Sequence, residues 1–172
     1  MTWNDTYLDL FGRCLELYKS GNKEFETYYQ DEDLVFLKQI GYRKREFFDF
    51  VEDYADSGDP TPSTAVLIAA VRRDYLLVVQ DGKLTAGPLI TRDGIPAKDS
   101  VVDGITYLPR MIVKAEAKLR GELDPDLMFC CGGDRRCLRD NGNLHPADFL
   151  RRVWAADGDH QKVVDWVKAQ RS

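Results

Sequence analysis

Signatures of the common enzyme classes are missing from this sequence. It contains no G-x-x-x-x-G-K-[ST] loop, no G-x-G-x-x-G, no G-x-S-x-G and no H-E-x-x-H. Their absence removes phosphate-loop hydrolases, dinucleotide-binding βαβ units, nucleophile-elbow hydrolases and helix-borne zinc proteases, each of which needs those residues at that spacing. Histidine occurs twice and cysteine four times, with no C-x-x-C pair to form a zinc knuckle. Basic residues are in the minority, 24 Lys and Arg against 29 Asp and Glu, for a net charge of -5. A nucleic-acid binder needs a basic face for the phosphates, whereas the doublets Arg72-Arg73, Arg135-Arg136 and Arg151-Arg152 are dispersed among acidic residues. Long apolar runs are also absent. The longest, Ala65 to Val71, is far too short to cross a bilayer. The opening residues Met1-Thr2-Trp3-Asn4-Asp5 lack the basic and apolar regions of a secretory leader. Four cysteines, two of them adjacent, do not make a secreted disulfide framework. The expectation is a cytoplasmic protein with free thiols, no metal and no cofactor, and neither nucleic acid nor membrane as partner.

What is present is helical period. The 172 residues, 44% of them hydrophobic, suffice for the core of a single domain. Asp5 to Lys19 places Leu8, Phe11, Leu15 and Tyr18 on one face. Asp33 to Ile40 reads as a short helix with an aspartate cap, and Phe47, Phe48, Val51 and Tyr54 mark the next. Thr61-Pro62 opens an apolar helix through about Arg73. Tyr75 to Gln80 is β-prone and is followed by Asp81-Gly82, a hairpin dipeptide, after which Leu84 to Thr91 would pair back. Arg92 to Asp103 is rich in Gly, Pro and Asp and reads as loop. Helical period then resumes at Tyr107 to Arg120, with further starts at Asp124-Pro125, Asp134, His145-Pro146 and Asp159.

The second run of helices repeats the order of the first. Thr6-Tyr7-Leu8 recurs as Thr106-Tyr107-Leu108, Asp33, Leu37 and Gly41 as Asp134, Leu138 and Gly142, and Phe47 and Val51 as Phe149 and Val153. The predicted fold is mainly α: a duplicated five-helix repeat over 5–74 and 106–170, joined by a small β-ribbon and loop linker over 75–105, with the halves about a pseudo-twofold axis.

The run Leu108-Pro109-Arg110-Met111-Ile112-Val113-Lys114-Ala115-Glu116-Ala117-Lys118-Leu119-Arg120-Gly121-Glu122-Leu123, with Asp134-Arg135-Arg136 and Pro146-Ala147-Asp148-Phe149-Leu150, resembles the bacterial domain-of-unknown-function family 5069. The likeness covers roughly residues 103 to 170. It implies a small, cytosolic, mainly helical bacterial domain and carries no activity with it. This chain has His145 where that family commonly places an aspartate before the proline, which suggests a capping role for the histidine.

Three groups of residues carry chemistry. Cys130, Cys131, Cys137 and His145 lie in one stretch, and a zinc site there would need Asp134 or His160 to complete it. A thiol nucleophile would need a neighbouring cation, with Arg135, Arg136 and His145 near in sequence. Packing is the cheaper explanation for Cys137, because the repeat matches it to Phe36. Arg110, Lys114 and Lys118 recur every four residues and share a helix face. Their counterparts Leu10, Cys14 and Tyr18 are apolar, so this face differs between the halves. It reads either as a solvated face or as an anion site, in which Arg110 and Lys114 hold a carboxylate or phosphate and Tyr107, Asp134 and Arg135 line the pocket. Asp33 and Asp134 both read as helix caps.

Two functions fit. The first is a binding or interaction module with a protein partner, in which the apolar helix and the ribbon would support a homodimer. The second is a small enzyme or ligand-binding protein acting on an anionic metabolite. They separate on whether Arg110, Lys114 and Asp134 converge.

Overall fold

Thr2 caps the first helix, α1 (Trp3–Lys19): its Oγ1 accepts from Asp5 N at 3.4 Å, and its backbone N–H donates in return to Asp5 Oδ2 at 2.8 Å. The computed structural model describes Thr2 to Arg171. Helix α1 buries Tyr7, Leu10, Phe11, Cys14 and Tyr18. Leu8, expected on the buried stripe, is 41% exposed. Phe11 and Tyr18 belong to both stripes, and aromatic packing selects the one with Tyr7, whose ring centroid lies 5.0 Å from that of Phe47, edge on.

After α1 come α2 (Asp31–Gln39), α3 (Lys44–Ser57) and α4 (Pro62–Val78). The α4 start is the expected one: Thr61 Oγ1 accepts from Thr64 N at 3.2 Å and Pro62 takes the first position. Its end is not. Tyr75 to Val78 continue the helix instead of forming a strand. Leu76 lies four residues after Arg72 and eight after Ile68, so it falls on the face those residues bury. That burial overrides a modest β preference. Asp81 and Gly82, with φ 50 and 71, end the helix, and Gly82 N donates to Leu76 O at 2.8 Å. The end of α4 leaves Leu77, Val78 and Val79 exposed.

By internal contacts the chain divides into two compact units, one up to Leu84 and one from Thr85. The ribbon belongs to the second. Strand β1 (Val101–Val102) pairs antiparallel with β2 (Ile105–Thr106), and the Asp-Gly turn is Asp103-Gly104, with φ 47 and 75 as a two-residue hairpin requires. Leu84 to Thr91 forms no strand; Ile90 makes a single bridge to Leu123. Then follow α5 (Leu108–Arg120), α6 (Gly132–Asp140), α7 (Pro146–Ala156) and α8 (His160–Ala169). Asp124-Pro125 makes a turn and no helix.

Among the described residues the protein is mainly helical, with eight α-helices and one two-stranded antiparallel sheet. Each unit carries four α-helices, not five. In the first, α1 packs on α3 and α4; in the second, α5 packs on α7 and α8. Helices α2 and α6 are nine residues each, an order compatible with duplication. No helix among the described residues is long and apolar enough to cross a membrane.

Candidate functional site

Tyr107 joins β2 to α5 with φ 74 and ψ -21. A side chain in this left-handed region costs about 1–2 kcal/mol. Cys130, at φ 73, is in the same region. Strain of this kind persists only where surrounding contacts enforce it, and here both residues bracket one buried ion pair.

That pair is Lys114 and Asp134. Lys114 Nζ donates to Asp134 Oδ2 at 2.7 Å and to Oδ1 at 2.9 Å. The two side chains are 2% and 0% exposed. Asp134 is the third residue of α6 and reaches back to accept Cys130 N at 2.8 Å. It therefore serves the helix start from inside the first turn; the residue at the cap position is Cys131. Tyr107 Oη donates to Asp134 Oδ1 at 3.0 Å. Lys114 Nζ also donates to Cys131 Sγ at 3.4 Å, and Tyr107 Oη lies 3.9 Å from the same sulfur. Burial pushes the Tyr107 hydroxyl well above its usual range, and the Asp134 charge pushes it the same way. The approach of Tyr107 needs Gly133, where a Cβ would come within 2.7 Å of Tyr107 Oη.

The first unit has a counterpart with different wiring. Asp33, third in α2, accepts Gln30 N at 2.9 Å. Its cation is Arg13, whose side chain is 50% exposed. Tyr7, a hundred positions before Tyr107, is buried, and its hydroxyl has no partner among the described residues. A closed Lys–Asp–Tyr–Cys cluster is thus a property of the second unit.

Tyr107, Lys114 and Asp134 converge as a group, and Cys131 joins them. The other candidates lie elsewhere. Arg110 is buried and Nη1 donates to Pro96 O at 2.7 Å, tying the preceding loop to α5. Arg135 Nη1 donates to Cys130 O at 2.7 Å. His145 caps α7, with Nδ1 accepting from Ala147 N at 3.2 Å. Arg110, Lys114 and Lys118 do not form a solvated face: they are 6%, 2% and 1% exposed, as buried as Leu10, Cys14 and Tyr18. Lys114 spends its donors on Asp134 and Cys131 rather than facing an open anion site. Cys137 is buried at 8% exposure, and burial raises its thiol to about 11. No three His, Cys, Asp or Glu side chains among the described residues are grouped to hold a metal ion.

Beside the cluster lies a groove of about 560 Å³, lined by Tyr107, Gly133, Ile105 and Cys137 and by the cations Lys98, Arg136 and Arg171. Among the described residues its one carboxylate is Asp140, 3.7 Å from Arg136. Sequence reasoning missed this groove. Its charges come from a loop, from α6 and from the chain's end, and no spacing links them.

Comparison with protein-family models, with curated proteins and with solved structures found no match to this chain.

Proposed function

We propose that this protein is a binding module for a small anionic ligand, a carboxylate or phosphate compound, taken up in the groove beside Tyr107. One observation carries the reading: among the described residues, three cations and one carboxylate line the groove in a chain whose net charge is -5. Cations gathered against the sign of the whole molecule create a local field that favours an anion. Arg136 and Arg171 supply planar donor forks for a carboxylate or phosphate, and Lys98 a point charge. Ile105, Cys137 and the Tyr107 ring provide apolar surface for the ligand's body. A volume near 560 Å³ is within the range of small-molecule sites. The protein works in a reducing cytoplasm, with its four cysteines as thiols.

The test is a thermal-shift screen of phosphate monoesters and small carboxylic acids. A ligand at a hundred times its Kd stabilises the native chain by about 2.7 kcal/mol. The shift should disappear in Arg136→Glu and shrink in Arg171→Ala. A screen with no shift, or a shift untouched by both substitutions, rejects this reading.

A further inference from the structure

The groove beside Tyr107 offers hydrogen-bond acceptors as well as cations. Gly133, Arg136, Cys137, Asp140 and Asn141 line it from α6. Their spacing by threes and fours puts them on one helix face, so the groove follows that face for about 12 Å. Two acceptors, the Asp140 carboxylate and the Asn141 amide, are neighbours at the C-terminal end of α6. The last carbonyls of the helix add partial negative charge there.

Asn141 is 7% exposed, and its Nδ2 donates to Cys137 O at 2.7 Å. That bond fixes which end of the amide is the oxygen. The oxygen accepts no hydrogen bond from the described residues. A carbonyl this closely enclosed calls for a donor, and the residue carrying it lines the groove. Asp140 is held loosely. Arg136 lies 3.7 Å away and both side chains are largely exposed, so the pair contributes little and either member is free to turn to a ligand. A cation reaches the same end of the helix: Gly142 packs against the Gln170 backbone, which brings the next residue, Arg171, to the groove.

We propose that the ligand of this groove is an acidic α-amino acid, with its ammonium on Asp140 and the Asn141 carbonyl oxygen. This rests on the groove being an anion site and names what the anion carries besides its negative charge. A plain diacid or phosphate gives Asn141 no donor and is opposed by Asp140. An ammonium has three donors and serves both acceptors. The α-carboxylate, on the same carbon, falls to the planar fork of Arg171. A second carboxylate on the ligand's side chain answers Arg136 and Lys98. Two carboxylates and one ammonium thus meet three cations and one carboxylate among the described residues. Ile105 and Cys137 supply apolar surface for the methylenes.

Calorimetric titration at pH 7 with two matched pairs tests this: L-glutamate against glutarate, and L-aspartate against succinate. Members of a pair differ only in the amino group. At least one of the amino acids should bind, and at least about tenfold tighter than its partner, the factor expected of a hydrogen bond to a charged group. Asp140→Asn, at an exposed position, should weaken that amino acid at least about fivefold and leave the diacid no weaker. Asn141→Leu should act in the same direction; where loss of its bond to Cys137 unfolds the chain, Asp140→Asn carries the comparison. Arg171→Ala should weaken both members of the pair. Diacids that bind as well as the amino acids overturn the inference and leave the anion site standing. An amino-acid preference unchanged in Asp140→Asn also overturns it. If none of the four binds while phosphate monoesters still raise the melting temperature, the inference fails alone; if those have no effect either, the anion site fails with it.

Discussion

Lys114 Nζ lies 2.7 Å from Asp134 Oδ2, and neither side chain reaches solvent. Removing one partner leaves the other's charge buried without compensation. Lys114→Met or Asp134→Asn alone should each cost about 3–5 kcal/mol, seen as a lower urea midpoint. The double substitution should cost less than the sum of the two, because it leaves no orphaned charge. Strict additivity would show that the pair does not act as a unit.

Gly142 holds φ 105, and a Cβ there would collide with the Gln170 carbonyl. Gly142→Ala should cost about 1–3 kcal/mol in a thermal melt. It should also weaken anion uptake, since Arg171 follows Gln170 and lines the groove. Gly12 is the contrast: it sits within α1 with open space around it. Gly12→Ala should stabilise the chain by about 0.5–1 kcal/mol. Equal effects of the two substitutions would contradict the packing described here.

Asp49 lies on α3, and burial raises its carboxyl to about 7 despite Arg45 at 2.8 Å. An unfolded aspartate titrates at about 3.9. Between those values the folded chain holds a proton that the unfolded chain has released, so stability falls as pH rises from about 4 to 7. Asp49→Asn should flatten that slope and raise stability at pH 7 by about 1–3 kcal/mol. Urea titrations at pH 4.5 and 7.5 check it; an unchanged slope would mean that Asp49 is not its source.

Helix starts were legible because their chemistry is local. Thr61-Pro62 and His145-Pro146 open α4 and α7 through side chains within three residues of the N–H groups they serve. The ribbon was misplaced because Asp-Gly occurs at both 81 and 103. The same dipeptide ends a helix or turns a hairpin according to what its neighbours bury. The site was half legible. Tyr107, Lys114 and Asp134 stood out because each has a counterpart one repeat earlier, and substitution of Cys14 by Lys114 at a core position is visible by comparison.

A mainly helical chain with a small ribbon is written in the residues themselves, because hydrophobic period and capping chemistry act within a few residues. Packing in three dimensions is what spends Lys114 on Asp134, brings Cys131 to them, and gathers Lys98, Arg136 and Arg171 around one groove. Those relationships depend on where separate elements lie in space. A charge reads the same in a sequence whether it ends in water, in a buried pair or around a cavity, and burial is what sets its chemistry.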